Sequence, residues 1–134
     1  VVADDPLLTA RPPGPRVPAR VVVSASGALP ARCQLRATAR DAPVIVYTQH
    51  PGGLNGWADD GAEVVALADG PALDAVLADL GRRRFTNVLI EGGAGLLGSA
   101  LDAGAVDELH VFVAPKLVGG AALGPVGGTG VAVM

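Results

Sequence analysis

Aromatic residues are nearly missing from this chain: two phenylalanines, one tyrosine and one tryptophan make up 3% of its 134 residues. Single-strand nucleic-acid binders stack bases on aromatic side chains, so that class of function lacks its main platform here. Cysteine occurs once, at Cys33, which excludes an internal disulfide framework and a Cys-x-x-Cys metal site. The two histidines, His50 and His110, stand far apart and offer no zinc-ligand spacing, so no metal is expected. His110 falls inside an apolar run and is expected to be structural. The formal net charge is −3, and the basic triplet Arg82-Arg83-Arg84 follows a helical pattern whose dipole it complements. No nucleic-acid partner is expected. No apolar run reaches the ~18–20 residues a membrane span needs, and no charged-then-apolar leader opens the chain. A cytoplasmic protein with no membrane partner is the simplest expectation.

What is there is a chain half apolar, with Val, Leu and Ala to build a core, as buried parallel strands often do. Its length suits one domain at most. It begins on Val1-Val2 and stops at Val133-Met134, and both ends are expected to be cuts through a longer polypeptide.

Asp4 and Asp5 precede Pro6, and the residue before a proline is pushed out of the helical region. Residues 1–11 are therefore an extended or turn segment, followed by the stiff loop Pro12-Pro13-Gly14-Pro15. Arg20-Val21-Val22-Val23-Ser24 is a β-branched run and predicts a strand, ended by Gly27 to Pro30. Pro43 to Thr48 predicts a second strand and Glu63 to Leu67 a third. Thr48, Gln49 and His50 stand at a strand's carboxyl end, where open α/β sheets bind ligands. Gly70-Pro71 opens a helix whose apolar stripe is Leu73, Val76, Leu77 and Leu80.

The stretch from Asn87 to Gly120 predicts a β-α-β unit. Asn87 to Glu91 is the first strand, Leu96-Leu97 and Ala100-Leu101 belong to a helix, and Leu109 to Ala114 is the second strand, stopped by Pro115. Between strand and helix lie Gly92, Gly93, Gly95 and Gly98. Such a turn makes an anion site, because glycine lets a ligand approach the peptide planes and the first helical N–H groups lack internal partners. Gly93-x-Gly95-x-x-Gly98 matches the dinucleotide fingerprint by letter. The ribose-binding acid expected after the second strand is replaced by Ala114-Pro115-Lys116. On these residues alone, a phosphate-binding turn and close helix–strand packing both stay open. Strands alternating with helical or loop segments suggest a largely parallel sheet with covering helices.

Three separated pieces carry a resemblance: Ala3 to Arg11 (ADDPLLTAR), Ile90-Glu91-Gly92-Gly93, and Asp107 to Gly120 (DELHVFVAPKLVGG). In that order they resemble the reductase domain of the bacterial bifunctional riboflavin-biosynthesis deaminase/reductase, over nearly the whole chain. The resemblance implies an α/β, dihydrofolate-reductase-like fold, a mostly parallel central sheet with flanking helices. Residues 1–134 would then be one partial reductase domain lacking the opening strand and helix and the closing hairpin. It further implies NADPH as cofactor and a phosphorylated pyrimidine substrate, 5-amino-6-(5-phosphoribosylamino)uracil, reduced to its ribitylamino form. A homodimer is implied as well.

By the same resemblance Asp4 and Glu91 become candidate catalytic carboxylates, Asp4 near the nicotinamide end of the cofactor and Glu91 against the substrate. Leu8 and Arg11 match substrate-contacting positions, and Arg11 suits the substrate phosphate because a guanidinium offers several fixed donors. Gly93, Ala94, Gly95, Leu96, Leu97, Gly98 and Ser99 match the turn and helix start that hold the cofactor's pyrophosphate. Ser24-Ala25 stands where the family commonly has Asp-Ser, and Ser24 is the candidate for that cofactor contact. The His-x-Glu and Pro-Cys-x-x-Cys set of a zinc deaminase is absent. Two alternatives stand beside this expectation: a related pterin or pyrimidine reductase of the same fold, and a nucleotide-binding module without catalysis.

Overall fold

Valine-rich runs bracketed by proline and glycine become strands where a neighbour pairs with them. In the computed structural model, which describes residues 3–70, 72–115, 124 and 126–130, three such runs do so. These are β1 (Arg20–Ser24), β2 (Val44–Thr48) and β3 (Glu63–Ala66), joined as one parallel sheet in the order β1-β2-β3. The register sets Val22 beside Val46 and Val46 beside Val64. All five residues of the central strand β2 are buried, as a parallel strand flanked on both edges requires. The chain folds as two compact units, Val1–Ala72 and Leu73–Met134, and the whole sheet belongs to the first.

Parallel neighbours need a long crossover. Residues 25–43 make the first one and contain a single helical turn, α1 (Gln34–Ala37). Residues 49–62 make the second with a 3-10 turn at Pro51–Leu54. Both crossovers drop apolar side chains on one face of the sheet, where Leu35, Leu54 and Trp57 join Val22, Val44 and Val46 in the core. Burying each Val or Leu side chain contributes about 1.5–3 kcal/mol. Leu8, from the amino-terminal segment, packs against the same cluster.

Arg20 opens β1 and is buried with 2% of its surface exposed. Its Nη1 donates to Thr38 Oγ1 (2.6 Å) and to the Leu7 carbonyl (3.3 Å), and its Nη2 donates to the carbonyls of Thr38 (2.8 Å) and Ala42 (2.6 Å). Burial pushes this guanidinium below its ordinary pKa, and the nearby Asp41 carboxylate works against that shift. These four bonds meet both terminal nitrogens and offset most of the cost of burying the cation, while its Nε is buried without a partner.

The second unit contains α2 (Leu73–Arg82) and α3 (Ala94–Asp102), which touch. On α2 the predicted stripe is realised: Leu73, Val76 and Leu80 are buried and Leu77 is half-buried. The helix runs through Gly81 to Arg82, and the chain turns away at Arg84, whose φ is +65°. Asp79 pairs with both Arg82 (2.9 Å) and Arg83 (2.6 Å), so two of the three arginines are engaged on their own helix. Pro71, expected at the helix start, lies outside the described residues.

Two predicted strands are corrected. Residues 87–91 and 109–114 join no ladder, and Leu89, Val111, Phe112 and Val113 are 70–95% exposed. β-propensity expresses how well a side chain fits a paired, half-buried surface, and backbone groups without a neighbouring strand have nothing to pair with except water. Among the described residues neither run has that neighbour, so the β-α-β unit is reduced to its glycine turn and helix. His110 accordingly lies at the surface, 3.0 Å from Glu108, and is not a strand-core residue. The end of that motif, Lys116 to Gly120, lies outside the described residues.

Candidate active site

The glycine turn of the second unit is built as an opening. Gly92 has φ +136°, a conformation closed to side-chain-bearing residues. A Cβ added at Gly92, Gly93 or Gly95 would meet nothing within 4 Å. Gly93 caps α3 without a side-chain hydrogen bond, and no acidic residue stands in the first turn. The first intrahelical bond is donated by Leu97 to the Gly93 carbonyl (3.1 Å). The N–H groups of Ala94, Gly95 and Leu96 therefore precede the ladder and form the positive end of the helix dipole. An anion such as a diphosphate fits this donor set.

Gly98 does different work. It is buried, and a Cβ there would overlap the backbone of Gly127 and Gly128. The segment it admits is tied along α3: Gly127 N–H donates to the Ala94 carbonyl (2.8 Å), and Thr129 donates to Asp102 through its N–H and its hydroxyl (2.9 Å each). The fingerprint thus divides into an open pair, Gly93 and Gly95, and a packing glycine, Gly98. The Ser99 hydroxyl donates to the Gly95 carbonyl (3.0 Å), inside the helix. Glu91, just before the turn, is exposed.

Asp4, Leu8, Arg11 and Ser24 belong to the first unit. Asp4 and Arg11 are exposed, whereas Leu8 and Ser24 are half-buried. The segment that carries the first three is sharply bent, with Asp5 at φ +40° and Leu8 at φ +51°. Non-glycine residues held in this region cost on the order of 1–3 kcal/mol each and persist only where their surroundings over-determine them. Here the surroundings are Gln34 and Arg20. Asp5 Oδ1 accepts the Gln34 N–H (2.8 Å), and the Asp5 carbonyl accepts Gln34 Nε2 (2.5 Å). Asp5 and Gln34 also border an open cleft of about 480 Å³ with Arg32, Arg36 and Asp60.

At the carboxyl ends of the strands, Thr48 is buried and its Oγ1 accepts the His50 N–H (3.0 Å). Gln49 Nε2 donates to the Ala68 carbonyl (3.2 Å). Gly27, at φ +64°, lets the turn after β1 lie against the His50 carbonyl, which a side chain would overlap. The loops after β1, β2 and β3 thus meet at one edge of the sheet. Arg20, Asp5 and Gln34 hold the bent segment, a role that sequence reasoning passes over because their partners are distant in the chain. Among the described residues no group of three or more His, Cys, Asp or Glu side chains could hold a metal ion. No helix among them is long and apolar enough to cross a membrane.

Similarity to known proteins bears on the same segments. Residues 1–133 match the family model of the RibD C-terminal domain. The riboflavin biosynthesis protein RibD of Actinobacillus pleuropneumoniae is 35% identical over 98% of this chain and 36% of its own length. RibD of Haemophilus influenzae is 31% identical over 92% of this chain and 36% of its own. The chloroplastic riboflavin biosynthesis protein PYRR of Zea mays is 38% identical over 98% of this chain and 21% of its own. The chain spans about a third of the length of the RibD proteins it matches. With a family model covering nearly every residue and relatives of this identity, the chain belongs to the RibD C-terminal domain family.

Proposed function

We propose that this chain is the reductase part of a riboflavin-biosynthesis enzyme with a dihydrofolate-reductase-like fold, reducing 5-amino-6-(5-phosphoribosylamino)uracil with NADPH. One observation carries the proposal within that family: the bare turn at Gly92, Gly93 and Gly95 leads into a nine-residue helix whose first donors have no side-chain cap. Ala94, Gly95 and Leu96 would hold the coenzyme's diphosphate through their N–H groups. Gly93 leaves room for its approach, while Leu97, Gly98 and Ser99 fix the helix behind them. When bound, the coenzyme supplies the hydride that reduces the ribosyl C1′ in its ring-opened imine form.

The chain's own residues bind and orient. Arg11 offers several fixed donors to the substrate phosphate, and Leu8 contributes an apolar contact beside it. Glu91 accepts hydrogen bonds from ring or sugar donors of the substrate. Asp4 and Ser24 serve the coenzyme, Asp4 at its nicotinamide end. Holding donor and acceptor carbons together is the protein's main catalytic contribution. The full-length protein should bind NADPH, followed by its fluorescence, and consume it only when the ribosylaminouracil is added. A folded, coenzyme-bound protein that leaves this substrate unreduced overturns the proposal.

A further inference from the structure

The bent segment that bears Asp4, Leu8 and Arg11 is held by two anchors that belong to one hydrogen-bond circuit. Arg20 Nη1 reaches the Leu7 carbonyl and Thr38 Oγ1. The Thr38 hydroxyl in turn donates to the Gln34 carbonyl (2.7 Å). Gln34 closes the circuit by donating its N–H and its Nε2 to Asp5. The circuit grips the segment at Asp5 and Leu7, and the left-handed residues Asp5 and Leu8 are the first gripped position and the one just past the second. A strained bend over-determined in this way is characteristic of functional segments. The Gln34 side chain and Nη1 of Arg20 serve this circuit, Arg20 from a buried position, while its Nη2 holds the carbonyls of Thr38 and Ala42.

We infer that Arg20 and Gln34 are positioning residues that set the angle at which the 4–11 segment presents Leu8 and Arg11 to the substrate. This role rests on the proposed reductase function. It adds to that function residues that would touch neither substrate nor coenzyme and act only through the segment they hold. Gln34 is the cleaner probe, since its side chain lies at the surface and its loss leaves the core intact.

The test uses the full-length protein with Gln34→Ala and Arg20→Lys. Both variants should raise KM for the ribosylaminouracil about five- to tenfold, a loss in keeping with a small displacement of a binding group; the Kd for NADPH, whose only proposed contact on this segment is Asp4, should rise less, by under about threefold. Backbone amides of residues 7–10 should exchange with deuterium faster in the ligand-free variants. Combined with Arg11→Ala, the effect of Gln34→Ala on substrate KM should shrink below about twofold, because residues acting as one unit are non-additive. Ile45→Ala, a buried residue of the same sheet outside the cluster that Leu8 packs against, controls for lost stability and should leave both constants in place. Unmoved substrate KM in both variants, or full additivity with Arg11→Ala, overturns the positioning role alone. No turnover by the unsubstituted protein overturns the functional proposal and the positioning role with it.

Discussion

The bend at residues 4–11 and the turn at residues 92–98 solve opposite problems. The bend is held by side chains: Asp5, Gln34, Thr38 and Arg20 fix its backbone in a conformation that costs energy. The turn is held by almost none, and three of its glycines face open space. A diphosphate is recognised by peptide N–H groups, for which a missing side chain is the best feature. A phosphorylated sugar attached to a base needs a particular side chain at a particular angle. On the proposed function, strain and side chains serve the substrate segment and bareness serves the coenzyme turn.

The largest expected effect breaks the bare side. Gly95→Asp places a carboxylate among the first N–H groups of α3, where the coenzyme diphosphate is proposed to bind, and like-charge juxtaposition costs several kcal/mol. NADPH affinity should fall about a hundredfold or more by fluorescence titration, with the melting temperature little changed. Unchanged affinity would mean that the coenzyme does not use this turn. Next comes the loaded side of the bend. Arg11→Ala should raise substrate KM about 10- to 100-fold, the value of a charge-assisted hydrogen bond, and leave NADPH affinity alone. Equal loss of both would blur the contrast between the two segments.

A smaller effect separates the bend's support from its cargo. Asp5→Ala removes the acceptor for the Gln34 N–H and puts alanine at φ +40°. The cost should be about 1–2 kcal/mol in denaturant unfolding, accompanied by faster proteolysis near residues 6–10. The same loss without local loosening would show that Asp5 supports the sheet and not the bend.

What the sequence made legible follows from the range of the forces involved. β1, β2 and β3 could be read because Val-rich runs bounded by Pro, Gly or Asp carry their own punctuation, and α2 because Leu73, Val76 and Leu80 keep helical spacing. The start of α3 was legible from glycines alone. Residues 87–91 and 109–114 carry the same β-type composition as β1, yet a strand is a property of a pair, and composition does not say whether the partner is present. α1 was missed because a single turn has no periodicity. Its amino end is met by Asp5, 29 residues earlier in the chain, and no local pattern reveals that contact. The same distance hides the circuit around Arg20, which in sequence is only the polar first residue of an apolar run.

The smallest effect tests whether the circuit has sharp limits. Arg36 lies in the cleft beside Gln34 and donates to Asp60 Oδ2 (2.5 Å) and to the Ala31 carbonyl (2.9 Å). The Asp60 side chain is 47% exposed, so water and salt screen the pair, and such pairs contribute from nothing to about 1 kcal/mol. Arg36→Ala should therefore lower stability by less than about 1 kcal/mol, less still in high salt. It should leave substrate KM unchanged and exchange at residues 7–10 as slow as in the unsubstituted protein, although Arg36 is two residues from Gln34. A rise in substrate KM matching that of Gln34→Ala would show that the whole wall of the cleft holds the bend. The contrast between a pinned segment and a bare one would then need to be drawn around the cleft and not around the hydrogen bonds of Arg20 and Gln34.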